Sequence, residues 1–159
     1  MTRKHTFMDR EFGRPDYDPS DAGSFEKGLV FVIMPFSGTD MDETYGAVKD
    51  ECRKLRLRSR RVDENAGGGI VIAEITELIE QAEFIVCDLT SERPNVYYEL
   101  GYAHGAGNEA MDILLIAKEG TLLHFDIAPF RVHFYSSTEH LRSIVSVNLK
   151  AMIKATRRN

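Results

Sequence analysis

The sequence predicts a single α/β domain with a five-stranded, mainly parallel sheet and helices on both faces. Three observations carry this. Short apolar runs rich in β-branched residues recur at Gly28 to Phe36, Phe84 to Asp88 and Ile113 to Ala117, as strands buried on both faces require. Between them, apolar residues fall at steps of three and four, the helical period. The length of 159 residues, 43% hydrophobic and 28% charged, suits one globular domain whose core needs no metal or disulfide to hold it.

Residues 1 to about 27 mix charges with Gly13, Pro15, Pro19 and Gly23 and show no periodicity, so they are expected to form a flexible arm ahead of a domain over 28–159. The first strand follows and closes at Pro35. Asp40 to Leu57 has Tyr45, Val48, Cys52 and Leu55 on one face, acids in its first turn and bases in its last, which predicts a helix. Arg58 to Asp63 has strand length but little apolar content, as an edge strand guarded by charge would. Gly67-Gly68-Gly69 reads as a flexible loop, a candidate lid. Ile72, Ile75, Leu78, Ile79 and Ala82 mark a second helix over Ile70 to Ala82, leading into the strand that ends at Asp88. Asn95 to Gly107 is a third helix, with Pro94 before it and Val96, Leu100 and Ala103 facing the core. Ile113 to Ala117 and Phe130 to Tyr135 supply the fourth and fifth strands. Leu141, Ile144, Val145, Leu149 and Ile153 mark a closing helix. A flavodoxin-like order 2-1-3-4-5 would set the polar Arg58 to Asp63 strand at an edge.

Twenty Lys and Arg against 25 Asp and Glu give a formal charge of −5, which argues against general nucleic-acid binding. Cys52 and Cys87 lie far apart without CxxC spacing, and the five histidines show no metal-ligand spacing, so neither a metal centre nor a disulfide scaffold is expected. No apolar run reaches the length of a membrane span, and a cytoplasmic, membrane-free protein is expected. The basic residues Arg53, Lys54, Arg56, Arg58, Arg60 and Arg61 could meet a phosphate, but such a run more often complements a helix end and guards an edge strand.

Ligands of open parallel sheets bind beyond the carboxyl ends of the strands, where connections change direction. The residues to inspect are therefore Pro35, Phe36 and Ser37 after the first strand, Asp63, Asp88, and Asn95 with Glu99 on the third helix. Asp63 and Asp88 also suit simple loop capping. Glu99 lies one turn after Asn95 on its face, so it is expected to look into the cleft and to stay ionised beside the helix amino terminus. Tyr97, Tyr98 and Tyr102 are expected to pack.

The segment from Asp88 to His104, and above all Asn95-Val96-Tyr97-Tyr98-Glu99-Leu100-Gly101-Tyr102-Ala103-His104, resembles the signature of nucleoside 2-deoxyribosyltransferase-like and TIR-like proteins. Val30 to Phe36 and Arg61 to Glu64 match the order of elements in that group. The resemblance implies a catalytic Glu99 at the anomeric carbon, with Asp88 beside it, and Pro35, Phe36, Ser37, Asp63 and Asn95 around the substrate. It implies cleavage of the N-glycosidic bond of a nucleoside, nucleotide or NAD-like dinucleotide by hydrolysis or base transfer, with no cofactor and NAD as a possible substrate. It also implies self-association into a homo-oligomer. The alternative is a non-catalytic, nucleotide-sensing TIR-like assembly module.

Overall fold

The computed structural model describes residues 25–35, 38, 40–62, 68–108 and 112–157, and only the backbone of 68–71. Five strands, β1 (Glu26–Ile33), β2 (Arg58–Arg60), β3 (Ala82–Asp88), β4 (Ile113–Lys118) and β5 (Val132–Tyr135), form one sheet in the order β2-β1-β3-β4-β5. Every neighbouring pair is parallel. Four helices, α1 (Met41–Lys54), α2 (Gly68–Gln81), α3 (Pro94–Gly105) and α4 (Thr138–Thr156), connect and close it. The expected fold class and strand order are both observed.

The pleat sorts the strand residues into two cores. Leu29, Phe31, Ile33, Ile85, Cys87, Leu115 and Ala117 pack with Ile75, Leu78 and Ile79 of α2 and Val96, Leu100 and Ala103 of α3. Val30, Val32, Met34, Phe84, Val86, Leu114 and Ile116 pack with Ala47, Val48 and Cys52 of α1 and Leu141, Val145 and Leu149 of α4. Both faces of β1 and β3 are thus covered, which is why their sequences are apolar without alternation. Each fully buried Val, Leu, Ile, Phe or Met among them contributes roughly 1.5–3 kcal/mol by leaving water. Among the described residues, no helix is long and apolar enough to cross a membrane.

Several boundaries differ from expectation. β1 begins at Glu26, two residues before the expected domain edge; the remaining arm, 1–24, lies outside the described residues. Its register with β3 shifts between Glu26 and Val30. There Gly28 has φ of +85° and its N–H donates to the Glu83 carboxylate at 2.5 Å. That backbone conformation favours glycine. Gly68 and Gly69, expected in a loop or lid, are the first residues of α2, because the helix downstream is anchored strongly enough to extend through them; Gly67 lies outside the described residues. α2 stops at Gln81, and Ala82 already belongs to β3.

β2 keeps only three residues, and the arginines around it are held by acids: Arg53 on Asp50, Arg58 on Glu26, Arg60 on Glu74 and Arg61 on Asp42. Arg61 also lies 4.6 Å from the centre of the Tyr45 ring. The basic run guards an edge strand. α4 extends from Thr138 to Thr156, longer than its apolar pattern at both ends. The Ser137 hydroxyl caps it by accepting from the His140 N–H at 3.1 Å.

Candidate functional site

The chain leaves β1 for α1 on one face of the sheet and leaves β3 for α3 on the other. These diverging connections open a crevice above the carboxyl ends of β1 and β3. The β3–α3 loop is set in place by a buried knot. Asp88, 1% exposed, accepts at Oδ1 from the Thr90 N–H (2.9 Å) and the Thr90 hydroxyl (2.5 Å). At Oδ2 it accepts from the Tyr135 hydroxyl at 3.2 Å. The Lys118 N–H donates to Thr90 Oγ1 at 2.9 Å, so the exits of β3, β4 and β5 are joined. Burial pushes the Asp88 carboxyl above its ordinary value, and the Thr90 and Tyr135 bonds pull part of it back. Beyond the knot, Ser91 and Glu92 have φ of 68° and 44°, left-handed positions that cost non-glycine residues energy.

Two cavities flank this loop. The first is polar, about 400 Å³, and lies above β3, β4 and β5, lined among others by Gly38, Thr90, Ser91, Lys118, Tyr135 and Ser136 to Thr138. The amino-terminal ends of α1 and α4 both reach it, through Met41 with Thr44 and through Ser137 with Thr138. Its wall carries two carboxylates, Asp40 and Glu43, against the single cation of Lys118: Lys118 Nζ lies 3.1 Å from Asp40 Oδ2, and the Thr138 hydroxyl donates to Glu43 at 2.6 Å.

The second cavity, about 410 Å³, is an apolar groove between α2 and α3, walled by Ile72, Ile75, Ile79, Pro94, Tyr98 and Tyr102. Glu99 is its carboxylate. Burial lifts the Glu99 carboxyl to about 7, against a hydrogen bond from Asn95 that lowers it. The expectation of an ionised Glu99 is therefore corrected: Glu99 is the sixth residue of α3, past the turn over which the helix dipole acts, and desolvation prevails. Tyr98 also departs from expectation, being 65% exposed, while Tyr97 and Tyr102 pack partly against the core.

The structure thus brings Glu99 and Asn95 together at the apolar groove and sets Asp88 beneath the polar cavity. Pro35 is buried at the end of β1. Phe36, Ser37 and Asp63 lie outside the described residues. Sequence reasoning reached Thr90 only as part of the strand exit at Asp88 and missed Lys118 and Tyr135. Their signal was faint, namely strand-terminal positions and a Ser-Ser-Thr cap ahead of a helix.

No family model matches this chain, and no curated protein matches it. Solved structures do. A mutant form of a flavo di-iron protein from Thermotoga maritima aligns over 81% of this chain and 36% of its own, at 15% identity and a TM-score of 0.61. A flavoprotein from Thermotoga maritima aligns over 81% and 37%, at 14% identity and a TM-score of 0.61. A diflavin flavoprotein from Nostoc sp. aligns over 81% and 92%, at 15% identity and a TM-score of 0.52. This chain spans little more than a third of the length of the first two. At such identities the likeness shows the fold, which is flavodoxin-like.

These neighbours overturn the resemblance to nucleoside 2-deoxyribosyltransferase-like and TIR-like proteins. With it go N-glycosidic bond cleavage, the glycosyl hydrolase or transferase activity, the TIR-like assembly alternative, and the expectation of no cofactor with NAD as substrate. The block from Asn95 to His104 misled for a physical reason. Its most regular residues, Val96, Leu100 and Ala103, are all buried against the sheet, a pattern that any helix packed on a parallel sheet needs.

Proposed function

We propose that this domain binds a phosphorylated, hydroxyl-bearing small molecule of the flavin mononucleotide class in the polar cavity above β3, β4 and β5, in a redox role. The observation that carries this is the cavity itself: hydroxyl-lined, about 400 Å³ in volume, with Lys118 on its wall, beside the crevice where ligands of this architecture collect. The flavoprotein names of the structural neighbours supply the ligand class.

The described residues offer a phosphate and a polyol chain one cation, two helix ends and several hydroxyls, beside the carboxylates of Asp40 and Glu43. The amino-terminal ends of α1 and α4 offer backbone N–H groups, which favour anions. Ser91, Ser136 and Ser137 add hydroxyls. Lys118 supplies a charge that an arriving phosphate would take from Asp40. When bound, a flavin supplies electron transfer. The chain's own part is to hold the phosphate at Lys118 and the hydroxyls, and to keep the β3–α3 loop fixed through Asp88, Thr90 and Tyr135. The binding unit begins with β1 at Glu26, and it self-associates as a homo-oligomer, which light scattering reads directly.

Titration of flavin mononucleotide into the full chain, followed by quenching of flavin fluorescence, tests the reading. Saturation at micromolar concentration is expected, with riboflavin, which lacks the phosphate, at least ~10-fold weaker. Lys118→Ala should weaken the mononucleotide by about 10-fold. Absence of saturation up to about 100 μM would overturn it.

A further inference from the structure

We propose that the groove between α2 and α3 is a second binding site, separate from the polar cavity, for a ligand with an apolar body and a cationic nitrogen, an amine or amidine, that pairs with Glu99. The groove's volume, about 410 Å³, lies within the range of small-molecule pockets, and its walls are apolar and aromatic with few polar groups, as such pockets are built.

The polar groups of the groove dictate the ligand's charge. The Thr76 hydroxyl is engaged by the Ala73 and Ile72 carbonyls at 2.9 and 3.1 Å. The Tyr102 hydroxyl is held by Glu80. Asn95 donates to Glu99. What is left facing the groove is a carboxylate, 5% exposed, with no cationic side chain of the described residues paired to it. Once Glu99 is ionised, above about pH 7, an anion would be repelled there, and a purely apolar ligand would leave the buried charge unpaired. A cation pairs with that charge, and Tyr98 and Tyr102 add aromatic surface that favours the cation. Below Glu99 lie Phe31, Met34, Val62 and Ile75; the cation of the described residues on that side, Arg61, rests on Met34 Sδ at 3.9 Å and is paired with Asp42. The other titratable neighbours are Cys87, whose thiol is raised by burial first and then by Asp88 and Glu99, Tyr98, Tyr102 and Glu80.

Pairing with a cation favours ionised Glu99, so below about pH 7 the ligand, already protonated, drives the Glu99 proton into the buffer. Calorimetry in buffers of different ionisation enthalpy reads this directly. The probes are benzylamine and benzamidine, with benzyl alcohol and benzoate as the neutral and anionic counterparts, titrated into the full chain at pH 6 and pH 8.

Both cations are expected to bind at roughly millimolar or better, as ligands of their size allow. They should bind more tightly at pH 8 than at pH 6, release protons at pH 6, and bind equally with flavin mononucleotide present or absent. Glu99→Gln, its fold checked by circular dichroism, should weaken them by about 10-fold or more. Equal binding of benzyl alcohol, equal binding by Glu99→Gln, displacement by flavin mononucleotide, or no binding of either cation would each overturn the proposal. Failure of flavin binding alone leaves the amine result readable, because the two cavities are titrated separately.

Discussion

The Tyr135 hydroxyl reaches past β4 to donate to Asp88 Oδ2 at 3.2 Å, joining two strands of the sheet that share no backbone hydrogen bond. Tyr135→Phe deletes that donor and leaves a buried carboxyl oxygen unsatisfied. A loss of about 1–3 kcal/mol is expected, read as a lower urea midpoint with an unchanged slope. Because this bond lowers the Asp88 value, its loss should also raise the Asp88 carboxyl further.

Glu99 gives stability a definite pH dependence. The folded protein holds its proton up to about pH 7, whereas the unfolded chain releases it near the ordinary value of 4.5. Between these values the folded state binds more protons, so stability falls as pH rises from about 4.5 to about 7, by ~3 kcal/mol in all. Glu99→Gln should accordingly be more stable than the parent at pH 8 by about 2–3 kcal/mol, and close to it at pH 5. Identical differences at the two pH values would show that Glu99 titrates as an ordinary surface glutamate.

Arg157 closes the opposite end of the sheet. Its Nε and Nη2 donate to the two oxygens of Glu83 at 3.1 and 2.9 Å, and Glu83 is 3% exposed. Since Glu83 also takes the Gly28 N–H, one carboxylate fastens α4, β3 and β1. Arg157→Ala strands that charge, at a cost of about 2–4 kcal/mol once the partly exposed arginine is allowed for. Removal of residues 157–159 should cost the same in urea denaturation, because the arginine carries the effect.

Both thiols should be inert in the native state. Burial raises Cys52 to about 12. Cys87 is raised by burial and by its neighbours Asp88 and Glu99. Only the thiolate is reactive, so a disulfide reagent at pH 8 should label neither until urea unfolds the chain, and then both. Rapid labelling of one thiol without denaturant would reveal local opening at that strand or helix.

The fold was legible because its signals are local. Runs such as Leu29 to Met34 and Phe84 to Asp88 declare doubly buried strands, and the apolar spacing in Ile75 to Ile79 and Val96 to Ala103 declares their covering helices. The site was legible only in part. Glu99 was found by its place on a helix, yet its protonation depends on how deeply Ile75 and Phe31 enclose it, which no spacing records. Tyr135 escaped notice because its partner Asp88 is 47 residues away. The block from Asn95 to His104 looked like a signature of chemistry while much of it answers to packing.

The position of β1 in the sheet has a consequence during synthesis. This strand lies between β2 and β3, and β3 ends 55 residues later, Asp88 against Ile33. At about 5–20 residues per second, a ribosome needs roughly 3–10 s to supply that partner. For that interval Leu29 to Ile33 has no sheet of its own to enter except the three residues of β2, and its unpaired backbone can template association with other nascent chains. A cell making this protein therefore carries its greatest aggregation hazard in mid-translation, and a chaperone that masks a five-residue apolar strand for a few seconds would meet it.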